Sequence, residues 1–428
     1  MKQAAEAGVG IRVSPERLLP LWLTGGLFAV GLASFAAIPA VVWIARGPLA
    51  QGIFAQHGVV LLAHLYALGW GTAVALGAWQ QLAPVALQVA FPVRLGFSRA
   101  SFAAYGAGLA LLAAGMARAS FTPVAIGGGL IAAGVALAAL AVLGAMRKAQ
   151  RRSVMTGFVA PALISLLLVT VVGVLLAINR ITGWLSGSWL AVMGSHLYLG
   201  PAGWFGLLIP GVAYELAPFF GLTRTGSDPG RGRLAAVVAL LLGLGIFGGL
   251  IASLAGYYHP ASLALIGAGY LIFVFDLRGI YGRRAPERRS ATLAGVRAAH
   301  GYLAGLAVWL AGAALAGGQG VREWVLFGWF AAAGWLSNSV AGYLHRILPF
   351  LLWHHRYWGK PKEEVKTRFL QMVSQRLGRV GIWVYNAGVL LTGAGLWRQL
   401  DALLVPGVIA LAAGTGILVF NLGRAYFR

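Results

Sequence analysis

Hydrophobic runs long enough to form membrane-spanning helices recur along the whole chain, separated by short stretches that hold most of the polar residues. A transmembrane helix needs about 20 apolar residues, and twelve runs meet that need. The first run, Leu18 to Ile44, is too long for the apolar region of a cleaved signal peptide. Predicted helices 1 to 12 lie near residues 19–45, 58–87, 100–119, 122–146, 154–178, 188–220, 233–256, 260–282, 293–316, 322–354, 377–397 and 401–424. The pattern predicts an all-α integral membrane protein, with residues 1–428 forming a single membrane domain.

Positive charges are distributed unevenly over the connections between these runs. With the N-terminus inside, 27 of the 33 Lys and Arg residues fall on the cytoplasmic side and five on the outer side, while Arg346 lies within a predicted helix. Short loops rich in Lys and Arg stay in the cytoplasm. Both termini are therefore predicted to be cytoplasmic, in a bacterial or archaeal cytoplasmic membrane. The same distribution explains the net charge of +23 without a nucleic-acid partner.

Composition narrows the chemistry that the chain can carry. Hydrophobic residues make up 59% and charged residues 10% of the sequence, whereas an average soluble domain carries about 25% charge. Cysteine is absent, which excludes disulfides, thiolate-bound metals and covalently attached c-type heme. A metal or cofactor must therefore be held by His, Met, carboxylates or backbone groups.

A signature of Gly-Trp followed by Gly and Pro at identical spacing recurs on predicted helices 2, 6 and 10. Its positions are Gly69, Trp70, Gly77 and Pro84; Gly203, Trp204, Gly211 and Pro218; and Gly334, Trp335, Gly342 and Pro349. The copies are 134 and 131 residues apart, an interval that holds four helices. An even number of helices gives the copies the same orientation in the membrane, as in parallel repeats. The signature predicts three pseudo-symmetric four-helix repeats, near 18–146, 154–282 and 293–424, in which Gly, Trp and Pro pack and bend helices.

The longest polar stretch, residues 356–379, separates predicted helices 10 and 11. Its basic residues and the amphipathic run that follows favour an interfacial helix on the inner leaflet, where they would meet anionic lipid head groups. A docking site for a soluble partner is the alternative interpretation of the same segment.

Histidines fall in the predicted outer half of several helices. His57 and His64 are seven residues apart, so they share one face of helix 2, about 10.5 Å apart along its axis. His64 and His196 each begin a His-Leu-Tyr tripeptide shortly before a Gly-Trp pair, which predicts similar heights. An imidazole within a span is costly unless it has a partner, and neutral imidazole is the commonest metal ligand. His64 and His196 are therefore candidate ligands of heme or copper, with hydrogen-bonded structural histidines as the alternative; His57 and His259, nearer the interface, are further candidate metal ligands.

A second set of polar residues aligns in the predicted inner half. Gln81, Glu215 and Arg346 each stand three residues before the proline of their signature, and Tyr214 and His345 directly precede two of them. Opposite charges at one depth predict an ion pair between helices 6 and 10, since either charge alone would be expensive. A structural clasp, a proton path and a grip on heme propionates remain open as roles.

Two further histidine groups lie on or beside helix 10. His300 on helix 9 is predicted to lie about as far from the inner surface as His345, which makes the two a candidate inner heme site. His354 and His355, with neighbouring aromatic residues, are interpreted as part of an interfacial belt.

Twelve helices in three parallel units, with histidine early on helices 2 and 6, resemble subunit I of the heme-copper oxidase superfamily, which includes cytochrome oxidases and nitric oxide reductases. His64 matches the helix 2 histidine that ligates the low-spin heme in that family. His196 matches in position the first copper-binding histidine of helix 6, followed here by Leu197 and Tyr198 in place of the usual Pro-Glu.

The chain also departs from that family. Helix 7 lacks paired histidines and has His259 only past its end, so the usual copper site is incomplete. Helix 10 carries Phe327, Trp329 and Phe330 where the family has His-x-His. The resemblance implies a divergent relative with non-covalent, b-type heme, and leaves copper open.

The resemblance implies electron transfer, or binding or reduction of oxygen or nitric oxide, as an oxidoreductase of the respiratory chain. Its implied partners are membrane lipid, a quinol or cytochrome c electron donor and accessory subunits. The rival hypothesis is a transporter or assembly subunit that uses the same twelve-helix scaffold without a redox centre.

Overall fold

A computed structural model describes residues 19–87, 95–148, 154–219, 229–257, 259–282, 290–361, 364–365 and 368–427. Within these ranges the regular elements are helices, and twelve of them are long. They are α1 (Leu21–Gln51), α2 (His57–His64, Leu65–Thr72 and Ala73–Leu87), α3 (Leu95–Ala117), α4 (Phe121–Lys148), α5 (Val154–Thr182), α6 (Trp189–Leu197, Tyr198–Phe205 and Gly206–Phe219), α7 (Pro229–Leu254), α8 (Pro260–Gly282), α9 (Ala291–Leu315), α10 (Val321–Trp329, Phe330–Leu336 and Ser337–Tyr357), α11 (Gln375–Arg398) and α12 (Asp401–Gly423). Short 3-10 helices cover Ser186–Ser188, Phe369–Gln371 and Arg424–Phe427.

Most of these helices are long and apolar enough to cross a membrane. In the described part of the chain, eleven meet this criterion by length and composition. The protein is thus an all-α, multi-pass membrane protein, as predicted. Helix α10 is not among the eleven, although it is one of the longest; polar side chains such as Asn338, His345 and Arg346 interrupt its hydrophobic run.

The described helices group into two compact units. The first unit contains α3 to α8 and the later part of α9, from Leu303 onward. The second contains α1, α2, the start of α9 up to Tyr302, and α10 to α12. His196 and His259 belong to the first unit, and the other six histidines belong to the second.

Each Gly-Trp pair lies inside a π-helical segment. These segments are Leu65–Thr72 in α2, Tyr198–Phe205 in α6 and Phe330–Leu336 in α10. A π-helical turn inside an α-helix is rare, and such turns occur frequently at functional sites. The sequence repeat therefore coincides with a repeated local structure that the hydrophobic pattern alone does not reveal.

The first glycine of each signature is in tight contact with the preceding helix. A Cβ added to Gly69 would lie 2.5 Å from the Cβ of Ser34 on α1, and one added to Gly203 would lie 2.7 Å from the Cβ of Ser165 on α5. At Gly334 the added atom would lie 2.5 Å from the ring of Tyr302 on α9. No side chain fits at these distances, so glycine is required where the helices cross.

The segment between α10 and α11 does not form the predicted interfacial helix in its described part. Gly359, at φ +73, follows the end of α10, and Ser374 caps the start of α11 by accepting the N–H of Leu377 at 3.2 Å. Between them lies the 3-10 helix Phe369–Gln371, in which Phe369 packs against Phe350 with ring centroids 6.2 Å apart. The contact of the half-buried Phe369 ring with Phe350 thus takes the place of the predicted interfacial helix. Residues 362, 363, 366 and 367 lie outside the described residues.

Candidate functional site

His64 is the last residue of the N-terminal α-helical part of α2, directly before the π-helical segment. Its Nδ1 lies 2.7 Å from the carbonyl oxygen of Val60. A carbonyl oxygen only accepts, so Nδ1 carries the proton and Nε2 keeps the lone pair of a neutral ring. A metal-ligating histidine is commonly fixed in this way by a backbone carbonyl. The half-buried ring therefore has the donor chemistry of one axial heme ligand.

His57 begins α2 beside a helix cap. The side-chain oxygen of Gln56 accepts the backbone N–H groups of Gly58 at 2.7 Å and Val59 at 3.1 Å, and its amide nitrogen lies 3.4 Å from the His57 ring nitrogens. His259 is an exposed residue just before α8, in the first unit. The structure therefore does not bring these two candidate metal ligands together within one unit.

His196 lies in the N-terminal part of α6, against α5. A Cβ added to Gly173 would lie 3.2 Å from the Cε1 atom of its ring, so this glycine makes room for the imidazole. Two residues later Tyr198 opens the π-helical segment, and its hydroxyl lies 2.8 Å from Ser262 Oγ. His196 and His64 belong to different units, and their common height stays a prediction.

Aromatic rings line the contacts that the π-helical segment of α2 makes with α1 and with α10. Tyr66 and Trp329 meet edge to face with ring centroids 6.4 Å apart, and Phe35 of α1 stacks on Trp70 at 4.4 Å. The Tyr385 hydroxyl of α11 donates to the carbonyl oxygen of Ala333 at 3.0 Å. These aromatic residues are not among the predicted site residues; the one signal for them in the sequence is the aromatic run at the start of helix 10.

His345 is enclosed in a hydrogen-bond chain that joins α10 to α12. The ring is fully buried; Nδ1 donates to the carbonyl oxygen of Ala341 at 2.7 Å, and Nε2 accepts from the Asn421 side-chain amide at 3.2 Å. Asn421 in turn accepts the Ser374 N–H at 2.9 Å and donates to the Ser374 carbonyl at 3.0 Å. Both ring nitrogens are used within the protein, which is the arrangement of a structural histidine.

His300 and His345 lie at different levels of the second unit. A Cβ added to Gly378 would contact both Ala291 and His345. His345 therefore lies level with the start of α9. His300 is nine residues further along α9, which corresponds to about 13.5 Å. The structure therefore does not bring the two predicted inner heme ligands together.

The side chain of Gln81 links three parts of the second unit by hydrogen bonds. Its amide nitrogen donates to the carbonyl oxygen of Leu19 at 2.8 Å, and its oxygen accepts from His355 Nε2 at 3.2 Å. The side chain is fully buried. Gln81 therefore connects α2 to the residues before α1 and to the end of α10.

The other residues of the predicted inner layer are divided between the units. In the first, Tyr214 packs between the rings of Phe158 and Phe273 at centroid distances of 5.9 and 5.5 Å and lies beside Asp276. Glu215 is its half-buried neighbour. In the second unit Arg346 is 6% exposed, with its guanidinium 5.7 Å from the ring centroid of Phe369. The ion pair between Glu215 and Arg346 stays a prediction.

His354 is buried rather than part of an exposed belt. It is 1% exposed, stacks on Phe350 at 5.9 Å and meets Trp358 at 4.6 Å. Its neighbour His355 is half-buried and bound to Gln81.

The described residues contain no group of three or more His, Asp or Glu side chains placed to hold a metal ion. A copper site of the three-histidine type is thus not formed by them, and the role of His64 as a heme ligand stays a prediction. Compared with known proteins, the chain matches no protein-family model, and no curated protein is significantly similar to it.

Proposed function

We propose that this chain is a heme-binding membrane protein with the architecture of heme-copper oxidase subunit I, acting in electron transfer or in the binding or reduction of oxygen or nitric oxide. The observation that carries the proposal is His64. It lies directly before a π-helical segment, and its Nδ1 is fixed by the Val60 carbonyl, which makes Nε2 the ring nitrogen that would ligate a heme iron.

The chain's own residues have distinct tasks in this proposal. His64 holds a non-covalent b-type heme through Nε2, and Val60 orients the ring. His196 is the candidate ligand in the first unit, packed on Gly173. A bound heme supplies an iron that exchanges one electron and binds diatomic gases. His345 has a structural role, because both of its ring nitrogens form hydrogen bonds within the protein.

The proposal includes a membrane topology. Twelve helices cross a bacterial or archaeal cytoplasmic membrane as three parallel four-helix repeats, with both termini in the cytoplasm. Three π-helical segments at nearly equal spacing and the matched glycine contacts with the preceding helices support the repeats. The distribution of Lys and Arg supports the orientation, and α10 becomes the twelfth span with its polar residues directed into the protein.

Electrons would come from a quinol or a cytochrome c, with accessory subunits as further partners. Copper is outside this proposal, since the described residues do not form a three-histidine site.

An absorption spectrum of the protein purified from membranes tests the proposal. We expect a Soret band that changes on reduction with dithionite, together with bound iron. A colourless protein without iron would contradict the proposal and favour the rival, a transporter or assembly subunit on the same scaffold.

A further inference from the structure

The first turns of α11 present two arginines on one side of the helix. Arg376 is exposed, and Arg379, three residues further along, is half-buried. Trp383, one turn later, is 60% exposed. Positions i, i+3 and i+7 lie on one face of an α-helix. Arg376, Arg379 and Trp383 therefore form a single stripe, called here the arginine stripe.

Other faces of α11 are packed inside the second unit. A Cβ added to Gly378 would lie 2.7 Å from His345 Nε2, and one added to Gly381 would lie 2.9 Å from the side chain of Leu418. The exposed stripe thus faces the surroundings of the protein. Because α11 is long and apolar enough to cross a membrane, the stripe starts at the membrane boundary and continues into the lipid.

The positive charge of the arginine stripe has no acidic residue near it in the sequence. From Val365 to Leu400 the chain contains neither Asp nor Glu. Arg379 Nε is buried, and among the described residues none accepts its N–H. A buried donor calls for an acceptor, and the planar guanidinium matches a phosphate group with two parallel hydrogen bonds. The stripe therefore suits a phosphate at its charged end.

Apolar side chains extend the same side of α11 toward the membrane interior. Val380 is 44% exposed and Leu390 is 55% exposed. Leu390 follows Arg376 by fourteen residues, about 21 Å along the axis. Tryptophan is enriched at the level of the lipid head groups, which is the place of Trp383 between the two arginines and Leu390. A charged end followed by an apolar length matches a phospholipid.

We infer that the arginine stripe binds the phosphate of an anionic phospholipid in the leaflet at which α11 begins. Arg376 and Arg379 hold the phosphate, and the acyl chains lie along Val380 and Leu390. The lipid contact is thus on a membrane-spanning helix and does not require the predicted interfacial helix. In the proposed topology this leaflet is the cytoplasmic one.

Native mass spectrometry of the purified protein, titrated in detergent with phosphatidylglycerol or with phosphatidylcholine, tests the inference. The wild type should bind phosphatidylglycerol at concentrations at which phosphatidylcholine does not bind. The double variant Arg376→Gln/Arg379→Gln should need at least about tenfold more phosphatidylglycerol, because each arginine contributes to the attraction. Arg398→Gln, at the exposed opposite end of the same helix, is the control and should bind like the wild type.

Equal binding of phosphatidylglycerol by the double variant and the wild type would overturn the inference, and so would equal binding of the two lipids by the wild type. Displacement of the lipid by an excess of inorganic phosphate would show a site for free phosphate and would overturn it as well. The single variant Arg376→Gln changes an exposed side chain and should weaken binding several-fold, which provides the comparison should the double variant not fold. Lipid binding is measured without reference to heme, so its failure leaves the proposed function standing.

Discussion

The protonation of His345 is set by a directed chain of hydrogen bonds. Asn421 accepts a backbone N–H from Ser374, which orients its amide so that the NH2 group donates to Nε2 of His345. The carbonyl oxygen of Ala341 then requires the proton on Nδ1. A second proton on Nε2 would face the Asn421 NH2 group, which is also a donor. These hydrogen bonds therefore hold the buried imidazole neutral.

The variant Asn421→Leu tests this chain. It keeps a side chain of similar size but leaves the buried His345 Nε2 and the partly buried Ser374 N–H without their Asn421 partner. A buried polar group left unsatisfied costs about 1–3 kcal/mol. We expect a lower melting temperature of the purified protein in detergent. Phe420→Leu, at a neighbouring position that is 65% exposed, serves as the control and should melt like the wild type. Equal melting temperatures of the two variants would show that the hydrogen bonds of Asn421 add no stability.

Heme ligation is also decided at single residues. His64→Ala removes the Nε2 lone pair that the proposal assigns to heme iron, so the Soret absorbance per chain should fall by more than half. His354→Ala removes a buried ring that packs on Phe350 and Trp358, and should retain the heme of the folded protein. The two spectra, scaled to protein concentration after gel filtration, provide the comparison. Equal heme loss in both variants would point to a general folding defect.

At the scale of elements, three helices combine an α-helical N-terminal part, a π-helical segment and a further α-helical part. The Gly-Trp pair lies in each π-helical segment, where the preceding helix approaches the glycine too closely for any side chain. In α10, side chains donate to two carbonyl oxygens of this segment: Ser337 Oγ donates to Ala332 at 2.9 Å, and Asn338 Nδ2 donates to Gly334 at 2.7 Å. The backbone N–H of Ser337 also binds the Ala332 carbonyl oxygen, so the side-chain donor adds to the backbone bond there.

Gly334→Ala should destabilise the protein because its Cβ would lie 2.5 Å from the Tyr302 ring. Overpacking of this kind typically costs about 1–3 kcal/mol. Gly328→Ala is the matched control on the same helix, since a Cβ there meets nothing within 4 Å. Thermal unfolding of the two variants in one detergent should separate them clearly. A Gly334→Ala protein as stable as Gly328→Ala would mean that α9 and α10 leave room for a methyl group at Gly334.

The elements differ in how far their sequences predict them. Apolar runs predict the long helices, because a bilayer demands about 20 such residues whatever their order. The Gly-Trp repeat marks the places of the π-helical segments, but their wider turns depend on contacts with neighbouring helices that lie far away in sequence. For the same reason the packing of Phe369 in place of an interfacial helix, and the enclosure of His345 by Asn421, could not be predicted from local patterns.

At the scale of the whole molecule, the chain is a multi-pass helical membrane protein whose described helices form two compact units. Of the predicted site residues, His64 is hydrogen-bonded through Nδ1 to Val60 and its role as a heme ligand stays a prediction, while His300 and His345 lie at separate levels. The spacing of residues along one helix predicts which of them share a face of that helix. Which residues of different helices lie together can be read only from the folded structure.

The absence of cysteine makes the proposed topology directly measurable. A single cysteine at Ser188, an exposed residue before α6, should react with a membrane-impermeant maleimide applied to intact cells. One at Gln371, exposed between α10 and α11, should react only after the membrane is opened. The reverse pattern would invert the proposed orientation.

The measurement that bears most directly on the central claim is the heme content per chain of the purified protein, by pyridine hemochrome assay with iron analysis on the same sample. The proposal predicts at least one non-covalent b-type heme per chain with equivalent iron. A content near zero in folded, monodisperse protein, purified from cells with ample heme, would contradict it.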